Sequence, residues 1–448
     1  MLSRKKHSPQ LGLFHGLADQ LDQKHPLYLL ANKINWSFFD EAFKVHYSEK
    51  MGKPAKPIRL MVSLLILKYV RNLSDENLVD QWAENIYYQY LSGEQHFQAK
   101  IPCVPTELIA FRQRIGEAGV ELILKESIRI NGKDGKKDNL SGDTTVHEKN
   151  ITYPTDRKLY ERTIEHCKRI AKTEGISLKR TYTREIKKLK YQLRFARGPK
   201  NVKKLIKAQN KLHRIAIKIY NDLVTQLNPI PKQEYYERFN ILYRVLTQVR
   251  EDKNKVYSIH EPEVLCIAKG KEHKPYEFGN KSSFAYTRKS GIIVGALAIE
   301  GNMFDGHTLE PQLDQVREIT DGKIRKAIVD RGYRGKLKIG ITEIVMPNAK
   351  KKESYYLKKQ REARCRSRAG IEGLISHLKH DHRLMRNYLK GNAGDGINTL
   401  LAASAYNMMK WMKMKRKEFF VFIFRWFLLA PKMVLANIQL SRTLKKVD

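Results

Sequence analysis

Three acids stand at positions where carboxylates can do chemistry in an otherwise strongly basic chain. Asp143 lies in a β-type run from Leu140 to Val146, and Asp330 ends a second run, Lys326-Ala327-Ile328-Val329. Glu372 sits in a helical pattern with Leu374, Ile375 and Leu378. Carboxylates that converge repel one another and call for a cation. Oxygen ligands without a Cys/His cluster favour Mg²⁺ or Mn²⁺ over zinc. Two such ions bracket a phosphodiester, activate the attacking oxygen and stabilise the leaving one. On a helix, Arg368 at i−4 shares the face of Glu372, and Lys379 at i+7 lies two turns on. These cations could hold DNA phosphates while the acid holds metal. Taken singly, an Asp at a strand end is more often a turn or cap, and Arg–Glu–Lys on a helix can be a surface ladder of ion pairs.

The elements that must position these acids follow from local pattern. Residues 1–135 are helical, with a buried helix from Ile58 to Tyr69. A second helix starts at Ser74-Asp75-Glu76, where Ser74 can cap and the acids suit the dipole. A later helix carries Leu108, Phe111, Ile115 and Val120 with Arg112 and Arg114. This unit can be read as a helix-turn-helix DNA reader or as a bundle for packing or dimerisation. Residues 157–255 are helical and very basic, with Leu205, Leu212 and Ile219 at a seven-residue spacing. A charge run is often only a solvated face, but its one-sided sign argues for contact with the DNA backbone. Strands are expected again at Val264 to Ala268, Ser283 to Tyr286, Gly291 to Ile299 and Glu343 to Met346. A final apolar helix runs from Thr399 to Met412.

The chain has 448 residues, enough for two or three structural units, and 85 Lys+Arg against 47 Asp+Glu give a formal charge of +38. Such an excess is self-repelling until a polyanion neutralises it, so nucleic acid is the leading partner class. Cys103, Cys167, Cys266 and Cys365 are scattered, which disfavours a zinc ribbon or a disulfide framework. No apolar segment follows the basic N-terminus, and the stretch Phe419 to Ala430 is too short for a bilayer. A cytoplasmic protein without membrane insertion is expected. The absence of a GxxxxGK[ST] loop disfavours an ATP-driven motor.

Arg368-Ala369-Gly370-Ile371-Glu372 followed by Lys379 resembles the R-x3-E-x6-K part of the Tyr-Arg-Glu-Lys signature of bacterial insertion-sequence DDE transposases, particularly the insertion sequence five group. Val329-Asp330-Arg331-Gly332-Tyr333-Arg334-Gly335 is similar to that family's second-Asp segment. Asp143-Thr144-Thr145-Val146, with Asn150 and Tyr153-Pro154-Thr155-Asp156 behind it, is similar to the first. Gly301-Asn302-Met303-Phe304-Asp305-Gly306-His307-Thr308-Leu309 and Asn72-Leu73-Ser74-Asp75-Glu76-Asn77-Leu78 resemble further family segments. The likeness runs from about residue 40 to 410. One departure is Cys365, where the family usually has the signature Tyr, a DNA-contacting position rather than a metal ligand.

The resemblance implies a mixed α/β fold with a ribonuclease-H-like catalytic core at 136–156 and 256–412. It also implies a helical N-terminal DNA-binding or oligomerisation domain at 1–135 and a basic helical insertion at 157–255, followed by a tail at 413–448. It implies a metal site of Asp143, Asp330 and Glu372 with two Mg²⁺ or Mn²⁺ ions. The partners would be double-stranded DNA, as terminal inverted repeats and target, and further copies of the chain. Arg368, Lys379, Arg331, Arg334 and Lys149 are expected to contact DNA. A metal nuclease without strand transfer, a catalytically silent DNA-binding copy and a helical architectural protein are the rivals. His377, His380 and His382 are read as phosphate or packing contacts rather than metal ligands. Asp305 and His307 are read as turn residues by default. Asp156, Glu261 and Glu263 stand undecided between turn residues and supporting acids.

Overall fold

A computed structural model describes residues 16–48, 54–135, 139–195, 199–227, 235–320, 322, 324–333, 335, 337–347, 354–366 and 370–416. The N-terminal helices are α1 (Leu17–Gln20), α2 (Pro26–Lys33), α3 (Trp36–Lys44), α4 (Ile58–Val70), α5 (Asp75–Glu84), α6 (Ile86–Leu91) and α7 (Pro105–Ile130). Helix α4 is apolar all round and buried along almost its whole length, which makes it a core helix rather than a groove reader. The Ser74 hydroxyl caps α5 by accepting from the Asn77 amide at 3.1 Å. Helix α7 is broken at Gly116, whose φ of 61° suits a residue without Cβ.

A buried ion cluster ties these helices together. Lys68 of α4 and Arg112 of α7 both bind Asp75, at 2.8 and 2.7 Å. Burial opposes ionisation of Asp75, but the two cations win and hold its carboxyl down at about 2. Burial, with Arg112 beside it, pushes the Lys68 ammonium down to about 8. Asp75→Ala would strand two buried cations and is expected to cost about 3–5 kcal/mol, read as a lower urea midpoint. The Asp75 contribution is full above the ordinary carboxylate value of 3.8. It fades as pH falls through about 2, so acid titration of stability should show a loss there that the variant lacks.

Among the described residues the strands are β1 (Asn139–Lys149), β2 (Leu265–Lys271), β3 (Lys274–Thr287), β4 (Ile293–Ile299), β5 (Lys326–Ile328), β6 (Lys338–Ile339), β7 (Thr342–Val345) and β8 (Arg386–Asn387). Their main order is β2-β3-β1-β5-β7-β6, with β4 also on β3 and β8 also on β1. Strand β3 runs antiparallel to β1, whereas β5 is parallel to β1 and β7 parallel to β5. The β4-β3-β1-β5-β7 path is the mixed sheet expected of a ribonuclease-H-like core. β1 is buried on both faces for most of its length, as a central strand must be.

Between β1 and β2 the chain builds α8 (Asp156–Thr173), α9 (Thr183–Phe195), α10 (Val202–Gln226) and α11 (Tyr236–Thr247). Ile164, Cys167, Leu212, Ile219, Leu223 and Leu242 close a hydrophobic core of their own there. The N-terminal helices have no separate core. Leu64, Leu67 and Phe111 belong to the same apolar cluster as Phe284 and Val329 of the sheet region. The change near residue 135 is therefore one of secondary structure, not a break in packing. After β4 come α12 (Asp305–Thr320), α13 (Tyr355–Arg366) and α14 (Gly370–Asp381), then a helix α15 over 391–416. Helix α15 is buried through Leu400, Leu401, Ala402, Ala403 and Met408, as its apolar sequence predicts.

Candidate active site

Asp143 sits near the middle of β1, half-buried, and Asp330 lies just past the end of β5. The parallel register pairs Leu140 with Ala327 and Ser141 with Ile328. Continued two residues, it sets Asp143 level with Asp330, at the carboxyl end of β5 beside β1. Such strand ends are where open α/β sheets expose reactive groups. The Asp143 Oδ1 accepts from the Thr144 amide at 2.9 Å, and the Asp330 Oδ1 from the Gly332 amide at 2.8 Å. Both carboxylates are thus oriented by backbone next to them in sequence. A Cβ on Gly332 would lie 2.9 Å from Asp330 Oδ1 and 3.5 Å from Asp305 Oδ2, so this close approach needs glycine.

The sequence undervalued Asp305. It opens α12 and is held by Lys281 of β3, whose Nζ donates to its Oδ1 at 3.1 Å and to the Met303 carbonyl at 3.0 Å. Tyr333 reports the company Asp305 keeps. Its phenol is buried with no well-formed hydrogen bond. Burial first, then the charges of Asp143, Asp305 and Asp330, push its ionisation far up, against a smaller opposing effect of the Thr144 side chain. The charges of three aspartates are therefore felt at one buried hydroxyl. Only folding reveals that Asp305 comes near Gly332 beside Asp330, because it belongs to a different element and its local sequence reads as a turn.

Glu372 lies exposed in the first turn of α14, whose Ile371, Leu374 and Leu378 are buried; that helix packs on β1. Among the described residues, no three His, Cys, Asp or Glu side chains converge in a metal-binding group, so this arrangement brings neither Glu372 nor Asp305 together with Asp143 and Asp330 as a ligand set. Lys379 is half-buried on the same helix, and Arg331 is exposed beside Asp330. Arg334, Arg368, the Cys365 side chain and the tail stretch Phe419 to Ala430 lie outside the described residues.

Lys149 corrects the expectation of a DNA contact. It is buried, ion-paired to Asp395 at 2.8 Å and Glu261 at 3.3 Å, and donates to the carbonyls of Leu389 and Gly391. An ammonium so enclosed holds the end of β1 to the chain after β8 and has no donor left over for phosphate. Glu261 is likewise a buried structural acid, also accepting from the Gly391 amide at 3.1 Å. His147 reaches Asp395 at 2.9 Å and Ser282 at 2.6 Å in the same network. In the histidine cluster, His382 is buried and donates to the Tyr69 carbonyl at 3.0 Å, and His377 pairs with Asp381 at 2.7 Å. Asp156 begins α8, capped by Thr155.

A mixed sheet of this order is consistent with a ribonuclease-H-like core. Residues 15–114 match a family described as Transposase domain (DUF772), and residues 247–408 match one described as Transposase DDE domain. A protein of Rhizobium meliloti, "Uncharacterized protein ORF8 in nfe locus", is 39% identical over 173 residues, which cover 38% of this chain and 83% of that protein. No solved structure matches. The chain belongs to the insertion-sequence DDE transposases and is a DNA transposase. Among the described residues, no helix is long and apolar enough to cross a membrane.

Proposed function

We propose that this transposase binds the terminal inverted repeats of its own element, nicks each end to free a 3′ hydroxyl, and joins that hydroxyl to target DNA. What supports this reading is the parallel register of β1 and β5, which, continued two residues, sets Asp143 level with Asp330. Carboxylate donors such as these suit a hard divalent cation, because all the donors are oxygens. Asp143, Asp330 and Glu372 would hold two Mg²⁺ or Mn²⁺ ions, with Glu372 contributed from the helix seated on β1. Such ions, when bound, supply Lewis-acid activation and neutralise charge on the phosphodiester. The protein's own part is positioning. Backbone amides at Thr144 and Gly332 fix the two aspartates, and Lys281 fixes Asp305. Arg331, Arg334, Arg368 and Lys379 would grip phosphates around the cut. The ends would be paired by several copies of the chain on nucleoid DNA.

A second reading has Asp305 rather than Glu372 as the third metal ligand, favoured by its place beside Tyr333 with the two aspartates. A strand-cleavage and joining assay with Mg²⁺, on DNA carrying the element's ends, separates the possibilities. Glu372→Gln is expected to bind DNA yet neither nick nor join, while Asp305→Asn keeps measurable nicking. The reverse pattern would assign the third carboxylate to Asp305. Nicking without joined products in the wild type would make the protein a nuclease without strand transfer.

A further inference from the structure

A cleft of about 860 Å³ opens where the helical insertion meets the catalytic core. Its cations are Lys158, Arg162 and Arg169 of α8, Arg238 of α11 and Arg386 of β8, and no acid among the described residues lines it. Residues 158, 162, 166 and 169 recur every three to four positions, so α8 turns a single face to the cleft. Arg386 pairs in register with Glu148 of β1, the strand that carries Asp143. The cationic wall thus runs from the insertion to the catalytic strand.

The organiser of this wall is His166. Its Nδ1 accepts from the Arg169 guanidinium at 2.7 Å and faces that of Arg238 at 3.2 Å. A neutral imidazole holding two guanidinium groups orders them without cancelling their charge, unlike a carboxylate in the same place. Burial first, and then Arg169, Arg238 and Arg162, push His166 down to about 4, so it stays an acceptor at neutral pH. Of the nearby acids, Glu161 binds Arg157 and Lys190, and Glu165 binds Lys190 at 3.5 Å and reaches Arg162 of the wall at 3.9 Å, which leaves Arg169 and Arg238 on the histidine without a carboxylate partner among the ion pairs of the described residues. Ordered guanidinium forks with positive charge to spare match phosphate oxygens.

We propose that this cleft is a binding site for the sugar-phosphate backbone of duplex DNA, with Arg169 and Arg238, set by His166, as its paired phosphate clamp. The proposal rests on the chain being a DNA transposase and is independent of which acids hold metal. The probe is a fluorescein-labelled duplex of about 30 base pairs, titrated with full-length protein at several salt concentrations. Removing a cation that neutralises one phosphate should lower the slope of log affinity against log salt by ~0.9, so Arg169→Gln/Arg238→Gln should lower it by about two. Affinity should fall roughly tenfold for each arginine. His166→Ala should weaken binding, and His166→Gln, which keeps an acceptor, should restore most of it; far-UV circular dichroism checks that every variant is folded. Lys204→Gln/Lys207→Gln removes the same charge from the exposed surface of α10 and should change the slope less. Equal losses in the two double variants would mean diffuse attraction and overturn the cleft. Intact binding in the arginine variant would overturn it as well, while a wild type that binds no duplex would sink the DNA reading along with it.

Discussion

Asp330→Asn and Asp143→Asn are each expected to slow DNA strand cleavage about a thousandfold or more while duplex affinity holds or rises. The size follows from charge. A metal that neutralises the reacting phosphate is worth several kcal/mol, and each 1.36 kcal/mol is a factor of about ten in rate. Asparagine conserves shape, and its side-chain oxygen can still accept from the Gly332 amide, now 2.8 Å from Asp330 Oδ1. What disappears is one negative charge from a region where the charges of Asp143, Asp305 and Asp330 all reach the Tyr333 phenol. Because those acids repel DNA phosphates, neutralising one should not weaken binding. Single-turnover cleavage of an end-labelled duplex, beside a binding titration, reads both quantities. Cleavage within tenfold of wild type in either variant would remove that aspartate from the catalytic set.

Asp395→Ala is expected to destabilise the core by about 3–5 kcal/mol, enough to shift most molecules toward unfolding in a protein of ordinary marginal stability. Asp395 is almost fully buried and receives Lys149 at 2.8 Å, His147 at 2.9 Å and Asn280 at 2.6 Å. Burial alone would raise its carboxyl, but His147 and Lys149 together hold it below the ordinary value. Truncation leaves the Lys149 ammonium with Glu261 as its remaining carboxylate and strands the Asn280 donor. The Asp395 contribution is present above the ordinary carboxylate range and is lost as pH falls through its depressed folded value. Urea unfolding at neutral pH measures the effect. Asp395→Asn, which keeps acceptors but no charge, should fall between wild type and the alanine variant. A loss under about 1 kcal/mol for alanine would mean that Glu261 and the backbone carbonyls already satisfy Lys149. The network matters for chemistry too, because it anchors the far half of the strand on which Asp143 is placed.

Much of the fold was legible because it is written in short-range pattern. The apolar run in α4, the Ser74 cap and the β-branched stretches around Asp143 and before Asp330 each dictate an element from neighbouring residues. The observed strand β5 ends at Ile328 rather than Asp330, since the chain turns there to bring the Gly332 amide onto the Asp330 carboxylate. The basic insertion was equally plain, because its strand signals stop and its seven-residue apolar spacing persists. Lys149 was misjudged for a definite reason: a lysine close to an acidic motif looks like a phosphate ligand until its partners arrive. Those partners, Glu261 and Asp395, lie far along the chain.

By itself, then, the sequence determined the element types, the basic character, and the placing of Asp143 on a strand and of Asp330 just beyond the end of another. Backbone propensity, side-chain period and net charge are local or additive properties, and they need no folded partner. Tertiary structure decided which charges meet. It set Asp305 near Gly332 beside Asp330, enclosed Lys149, and set two arginines on a neutral histidine. Those outcomes depend on desolvation and on distances of a few ångströms between residues remote in the chain, and only sheet pairing and helix packing establish them.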